Sequence, residues 1–217
     1  WPFKPDVVAD GGNYAAFPGN ALPDTPESLS LLTTRLQKLG QGFFTTTRDT
    51  SAATAQVAAL AADIYATYPT LRPETVRALV VHSAQWTNTM RSHFTAAKNK
   101  SEKVSLLRRY GMGVPDAERA LRSASDALTL IAEATIRPFE RRDDSNDGKL
   151  REMNLHRLPW PEEELENLGD TPVELRVTLS YFVEPNPSRR GWTGRYVYPS
   201  HGCLLYTSPS PRDATLS

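Results

Sequence analysis

The strongest hydrophobic pattern in the chain is helical and begins at Ser51. From there apolar residues recur at steps of three and four until Pro69 ends the run, at Ala53, Val57, Leu60, Ala61, Ile64 and Tyr68. This spacing predicts a helix. Most of its other positions are alanine, so the helix is apolar nearly all round and we expect it to pack closely inside a layered core.

Three more helices are predicted downstream. One begins at Pro73, since proline suits the first helical position and Glu74 beside it favours the positive helix end. Its buried stripe would be Val76, Leu79, Val80 and Ser83. A short helix is predicted around 101–109, and another begins at Pro115-Asp116 with the stripe Ala117, Ala120, Leu121 and Ala124. The pattern assigns Trp86 and Met90 to a loop.

Strand patterns lie on both sides of these helices. Residues 4–9 form a short β-branched run that a Gly-rich turn closes, and 21–48 indicate a hairpin or a long loop. Residues 127–136 alternate as a strand. Apolar and polar residues also alternate over 173–183, as in an antiparallel strand with one wet face, so we predict a second, all-β module from about 149.

Composition limits the classes of partner. The chain has 217 residues and 39% hydrophobic content, enough to bury a core, and its 25 Lys and Arg balance 25 Asp and Glu. Bulk charge therefore gives no reason to expect nucleic acid or an anionic membrane as partner. No apolar stretch is long enough to suggest a transmembrane segment, and the chain begins at Trp1 rather than Met.

The only cysteine, Cys203, lies in a tail whose residues 203–213 resemble the translation of a transposon-type sequencing adapter, with 214–217 as index sequence. The alternative is a genuine Pro- and Ser-rich disordered terminus. Without the tail the chain has no cysteine. This argues against a disulfide framework or a thiolate metal site and favours a reducing compartment.

The candidate chemistry centres on Ser51. It is the last of three consecutive cap-forming residues, Asp49, Thr50 and Ser51, directly before the long helix. From the residues alone, the ordinary interpretation is an N-cap that binds the free amides of the first turn.

Two separated segments change this interpretation, because residues 4–12 (KPDVVADGG) and residues 50–58 (TSAATAQVA) resemble the subtilisin-like serine peptidases, the subtilases. Matches to the family's continuation follow in order at Tyr68-Pro69, at 73–79 (PETVRAL) and at 110–117 (YGMGVPDA). The resemblance covers about residues 4–125.

The resemblance implies that Ser51 is the catalytic nucleophile and that Thr50 supports the oxyanion. Ala52 falls where many members carry Met. In subtilases the His base, its orienting Asp and an oxyanion Asn come from sequence preceding the serine. We expect all three upstream of this chain, which would make it a fragment that is inactive alone.

Two residues depart from the family's Gly-Thr-Ser-Met-Ala-x-Pro motif. Asp49 replaces the glycine and Ala55 replaces the proline. The alternative function is therefore a non-catalytic binding or scaffold module with a subtilase fold.

The resemblance also implies a fold class, α/β, as the C-terminal half of a subtilisin-like three-layer core followed by a partial β-sandwich-like domain. We assign 1–138 to the catalytic domain, 139–148 to a linker loop, 149–202 to a truncated β-rich domain and 203–217 to the adapter-derived tail. The parent would be a bacterial serine endopeptidase acting on peptide or protein substrates without a cofactor. The extended loop before the serine, the missing cysteines and the β module resemble large cytoplasmic subtilases, including ones paired with an ATPase in defence operons.

Other candidate sites are weaker. His82 and His93 follow the nucleophile, opposite to the family's order, and we interpret His82 as structural. His156 and His201 complete a set of four histidines without zinc-like spacing to carboxylates. Residues 143–148 imitate the start of a calcium loop, but Asn154 stands where a bidentate Glu is required, so a solvated turn is preferred. We interpret Glu162–Glu164 as a solvated helix start.

The tail yields a test. Deleting residues 203–217 should leave the melting temperature of the rest unchanged, because adapter-encoded residues were never selected to pack. Thermal denaturation of the full and truncated chains measures this. A loss of more than about 1 kcal/mol in the free energy of unfolding, the scale of a real packing contribution, would contradict the adapter interpretation.

Overall fold

The computed structural model describes residues 4–16, 18–19, 22–122, 129–137, 139–141, 148–150, 152 and 161–182. The chain divides into two compact units, which are described separately. The first comprises 1–133 and 157–180, and the second comprises 134–156 and 181–217. The calcium-like loop at 143–147, His156, His201 and the tail lie outside the described residues.

Helices dominate the first unit. A 3-10 turn at Glu27–Leu29 precedes strands β1 (Leu31–Thr34) and β2 (Phe44–Thr47), and the helices that follow are α1 (Asp49–Thr67), α2 (Pro73–Ser83), α3 (Asn88–Ala96), α4 (Lys100–Tyr110), α5 (Ala117–Arg122) and α6 (Glu162–Leu168). The second unit contains the short antiparallel pair β3 (Phe139–Arg141) and β4 (Gly148–Leu150). Among the described helices, none is long and apolar enough to cross a membrane.

The core of the first unit lies where α1, α2 and α5 meet. Its buried side chains are the apolar positions that the helical spacing predicts, namely Leu60, Ile64, Val76, Leu79, Val80 and Ala120. The partly buried side chains of Val7, Leu121 and Ile131 pack against these core residues. The predictions of α1, α2 and α5 are therefore confirmed, except that Ala124 of the predicted α5 stripe lies outside the described residues, and the helix predicted around 101–109 is α4.

Burial of α1 differs from the expectation. Among the described residues of α1, the buried ones are Ala52, Leu60 and Ile64, which lie on one face of the helix. Ala55 and Ala58 lie on other faces and are exposed. The physical reason is that α2 and α5 both pack on the Leu60–Ile64 side. The helix is thus apolar nearly all round, as predicted, but is covered on one side only by the described chain.

Helix α3 contains Met90, so the prediction of a loop at Met90 is wrong. The helix is stabilised by its cap and by aromatic packing rather than by a buried stripe. The Thr87 side chain accepts a hydrogen bond from the amide of Met90, and the Trp86 ring meets Phe94 edge-on at 5.3 Å between centroids. Trp86 also donates from its indole nitrogen to the carbonyl of Gly111 at 2.9 Å.

The segment predicted as a strand at 4–9 is extended but does not form one. Its backbone bonds the turn after α4, through Met112 N to Asp6 O at 2.9 Å and Val8 N to Gly113 O at 2.9 Å. Two such bonds to a turn are too few for a ladder. The Asp6 carboxylate fixes the segment to α2 by accepting from Arg77 Nη2 at 2.9 Å.

The hairpin alternative for 21–48 is confirmed. Strands β1 and β2 are antiparallel, with Leu31 opposite Thr47 and Thr34 opposite Phe44. The hairpin ends at Thr47, so β2 leads directly to the start of α1.

The strand predicted at 127–136 is wrong over its described part, 129–136. The alternation is real, but the backbone has no strand partner among the described residues. Instead the Glu133 carboxylate accepts hydrogen bonds from the amide of Arg72 at 2.9 Å and from the Thr75 hydroxyl, and it lies 3.5 Å from the Arg72 guanidinium. Glu133 therefore caps the N-terminus of α2 from a distant part of the chain.

The predicted strand at 173–183 is also wrong over its described part, 173–182. This stretch forms no strand, and residues up to 180 belong to the first unit. Arg176 Nη1 donates to the carbonyls of His82 at 2.9 Å and Ala84 at 3.1 Å, which caps the C-terminus of α2. The described residues thus fit an α/β class with small two-stranded sheets, without a β-sandwich, and the domain boundaries stay a prediction.

Glu133 provides a test of the capping contact. The Thr75 hydroxyl, the Arg72 amide and the Arg72 charge lower the pKa of Glu133 from its ordinary value of 4.5. Because the pKa is lower in the folded state, this stabilisation is complete above the ordinary value and is lost as the pH falls through the lowered one. Glu133→Gln should therefore lower the melting temperature at neutral pH.

The same substitution should flatten the decline of melting temperature in acid, as followed by circular dichroism. Asp63→Asn, which removes an exposed carboxylate from the middle of α1, is the matched control and should change neither quantity. Equal melting temperatures for Glu133→Gln and the parent at neutral pH would contradict the capping role.

Candidate active site at the start of helix α1

Ser51 lies in the first turn of α1 as its third residue. The N-cap position belongs to Arg48, which has extended backbone and makes no side-chain capping bond. The N-cap interpretation of Ser51 is therefore wrong, because the helix begins two residues earlier than its apolar pattern. The Ser51 side chain is exposed, and its hydroxyl has no hydrogen-bond partner among the residues that the structure describes.

The neighbours of Ser51 differ in burial. Ala52 is buried and anchors this turn to the core, whereas Thr50 is exposed beside Ser51. The carbonyl of Thr50 accepts a hydrogen bond from the Thr54 hydroxyl at 2.7 Å. The first turn therefore presents two exposed hydroxyl side chains at the positive end of a 19-residue helix.

Asp49, the first residue of α1, has an unusual backbone conformation. Its φ is +68°, in the left-handed region that favours glycine. Its amide donates to the carbonyl of Gly11 at 2.6 Å, and the Tyr14 hydroxyl donates to its carboxylate at 3.4 Å. These contacts hold a sharp change of direction between β2 and α1.

The glycine loop packs closely on this turn. A Cβ on Gly11 would lie 2.8 Å from the carbonyl oxygen of Asp49. Gly12 has a φ of +79°, and a Cβ on it would lie at a similar distance from the carbonyl oxygen of Leu29. The Asp10 carboxylate accepts from the Gly12 amide at 2.9 Å. The Gln56 side chain donates to the carbonyl of Asp10, which joins the loop to the next turns of α1.

The described histidines have other partners. His82 Nδ1 is 2.9 Å from the Thr178 hydroxyl, and burial lowers its pKa, as do the guanidinium groups of Arg176 and Arg119. His93 Nδ1 is 2.7 Å from the Tyr110 hydroxyl and its ring stacks on Tyr110. Neither histidine bonds Ser51, in agreement with the structural interpretation of His82. Within the described ranges, no group of three or more His, Cys, Asp or Glu could hold a metal ion.

Ser51 and Thr50 stay the predicted site residues, and the sequence does not show the contacts that fix their turn. The sequence assigns the adjacent pair Gly11-Gly12 to a turn within a segment that resembles subtilases, but it does not indicate the contact of this pair with Asp49. The signal that could have shown more is Asp49 itself, since Asp is one of the few residues other than glycine that enter the left-handed region with any frequency.

The chain matches the model of the subtilase family over residues 1–113, more than half of its length. It belongs to the subtilase family. No match was found among curated proteins or among solved structures.

The subtilase match includes the glycine loop, the hairpin and α1 to α4. Family membership supports a serine-peptidase type of domain. One of the two departures from the family motif, Asp49, has a clear structural setting. Asp49 adopts the left-handed conformation that the family's glycine would accommodate without a side chain, so the backbone turn is retained at the cost of some strain.

This strain gives a prediction about Asp49. The free energy of unfolding of Asp49→Gly should exceed that of Asp49→Ala by about 1–2 kcal/mol. Alanine is the less stable choice because its Cβ disfavours φ above zero and it has no polar side chain to offset this. Urea denaturation of the two variants measures the difference.

The matched control lies on the same helix. Asp63 is exposed in the middle of α1, where alanine should be the more stable choice by about 1 kcal/mol. The order of the Gly and Ala variants should thus reverse between positions 49 and 63. The same order at both positions would contradict the left-handed conformation of Asp49.

Proposed function

We propose that the chain is the C-terminal part of a subtilase catalytic domain and that Ser51 is the nucleophile of a serine endopeptidase. The observation that supports this most directly is the exposed hydroxyl of Ser51 in the first turn of α1, which has no hydrogen-bond partner in the described part of the chain. An N-cap serine would be occupied in bonding helix amides, whereas the described chain leaves the Ser51 hydroxyl available to react. Thr50 lies beside it as the oxyanion-supporting residue that the resemblance implies.

The proposed reaction is acyl transfer. Ser51 Oγ attacks the carbonyl carbon of a peptide bond while a histidine accepts the hydroxyl proton, and the carbonyl oxygen becomes an oxyanion. The amide of Ser51 and the positive end of α1 stabilise that charge. The carbon–nitrogen bond then breaks, the histidine protonates the departing amine, and water releases the acyl group from Ser51 by the same route.

The base, its orienting Asp and the oxyanion Asn are proposed to come from sequence that precedes this chain. The two described histidines support this arrangement, since both are engaged elsewhere. Peptides or proteins are the proposed substrates. A cytoplasmic location and an ATPase partner stay predictions.

One observation favours the non-catalytic alternative. The Asp49 carboxylate lies in the same helical turn as Ser51, and a negative charge there opposes the development of an oxyanion. A binding or scaffold module could retain this carboxylate without penalty. The experiment therefore has to separate catalysis from folding.

If Ser51 is the nucleophile, the chain joined to its native upstream half should hydrolyse peptides, and Ser51→Ala should reduce turnover on the order of a million-fold, the loss known for subtilisin. The melting temperature should hardly change, because Ser51 is exposed and is not the helix cap. Thr50→Ala should cost about ten- to a thousand-fold in kcat if Thr50 assists the oxyanion.

Ser92→Ala, an exposed serine on α3, is the matched control and should retain full turnover. The chain alone should react with a fluorophosphonate probe no faster than its Ser51→Ala variant, because the proposed activating base would come from the upstream sequence. Unchanged turnover of Ser51→Ala in the joined protein would leave the binding module as the better proposal. Strong labelling of Ser51 in the chain alone would show that the base lies within it.

A further inference from the structure

A cluster of polar contacts joins residues 173–180 to the C-terminal end of α2. We call these residues the docking segment. The Thr178 hydroxyl lies 2.9 Å from Nδ1 of His82. Arg176 Nη1 donates to the carbonyls of His82 at 2.9 Å and Ala84 at 3.1 Å. His82 therefore contacts the docking segment through both its ring and its backbone, and every group in these contacts belongs to the described chain.

Little else holds the docking segment in place. Its polar side chains Arg176, Thr178 and Ser180 are half-buried, whereas the apolar side chains that alternate with them are exposed. Val177 and Leu179 are each more than half exposed, so apolar burial contributes little to docking. The Ser180 hydroxyl oxygen is buried and has no hydrogen-bond partner among the described residues, which opposes docking. Attachment of the segment therefore depends on the polar contacts at the end of α2.

Cations face His82 from two elements. Arg176 approaches from the docking segment and Arg119 from α5, and both guanidinium groups oppose a positive charge on the imidazole. The carboxylates on and beside these elements each have another partner within the described chain, namely Glu174, Glu118 and Asp116. Protonation of the ring therefore adds a third positive charge to a half-buried cluster.

This arrangement sets the direction of the pH dependence. Burial, Arg176 and Arg119 lower the pKa of His82 from its ordinary value of 6.5. Release of the docking segment removes Arg176 and part of the burial, so the pKa returns toward that value. The docked form therefore binds a proton less readily than the released form. Docking weakens as the pH falls through 6.5 toward the lowered pKa, and above 6.5 it is independent of this titration.

We propose that neutral His82 holds the docking segment on α2 and that protonation of His82 releases it. Histidine is the side chain whose charge ordinarily changes in the physiological pH range. A segment with few contacts can open without unfolding the core. In the same step Arg176 leaves the carbonyls of His82 and Ala84, which uncaps the end of α2. Mild acid thus detaches the segment while α1, α2 and α5 stay packed together.

Release is measured by electron paramagnetic resonance with a nitroxide on Leu179→Cys, in a Cys203→Ser background. The mobile fraction of the label should rise at least about threefold between about pH 8 and about pH 5, because the released form takes up the proton. His82→Gln can still bond Thr178 but takes up no proton, so its mobile fraction should stay at the parent's high-pH value. His93→Gln, at the other described histidine, is the matched control and should respond as the parent does.

Two further measurements separate release from unfolding and test the repulsion itself. A nitroxide on Asp63→Cys, exposed in the middle of α1, should keep its mobility over the same pH range, and the circular dichroism of the helices should not change. Arg119→Gln should reduce the rise in mobile fraction without abolishing it, because Arg176 still faces His82. This variant retains His82 and tests the same repulsion if His82→Gln does not fold.

Three results would overturn the proposal. An unchanged mobile fraction in the parent would show that the docking segment stays on α2 in acid. An equal rise in His82→Gln and the parent would assign the response to another group. A simultaneous rise at positions 63 and 179 would show general unfolding in place of local release. None of these outcomes bears on acylation of Ser51, so the proposed peptidase function is tested independently.

Discussion

The close contact between the glycine loop and the first residue of α1 determines where Ser51 can lie. The amide of Asp49 bonds the carbonyl of Gly11, and the two backbones approach so closely that Gly11 has no space for a side chain. This contact turns the chain sharply from β2 into α1. Consequently Thr50 and Ser51 reach the surface while Ala52 enters the core. A serine at the start of a helix is commonly the N-cap. Here the turn makes Arg48 the N-cap and places Ser51 inside the first turn of α1.

The glycine loop can support this turn because the segment before it is fixed to the helical core. Burial opposes ionisation of Asp6, but hydrogen bonds and charge from Arg77 and Lys4 outweigh it and lower the pKa of the carboxyl. The backbone of the same segment also packs directly against Gly111. A Cβ on Gly111 would meet the carbonyls of Pro5 and Asp6. The position of Ser51 thus depends on contacts that are distant in sequence, carried through one extended segment.

Local patterns predicted the helices well because their apolar positions also form the core, as at Ile64 and Leu79. They failed where a residue's partner is remote. Alternation at 129–137 and 173–182 favours a strand, yet a strand requires a neighbour, and these stretches instead bond the ends of α2 through Glu133 and Arg176. The candidate site shows the same dependence on remote partners. Ser51 is predicted from its motif, whereas the contact of Asp49 with Gly11 involves residues 38 positions apart and leaves no local pattern.

Capping of α2 at both ends has a consequence for motion. Glu133 satisfies amide and hydroxyl donors at its start, Arg176 satisfies carbonyls at its finish, and its middle lies in the core. Helices normally fray from their ends, so a helix closed at both ends opens only when the unit around it opens. Amide protons of α2 should therefore exchange with solvent as one cooperative group, while those of α3, which buries no residue completely, exchange by small local fluctuations.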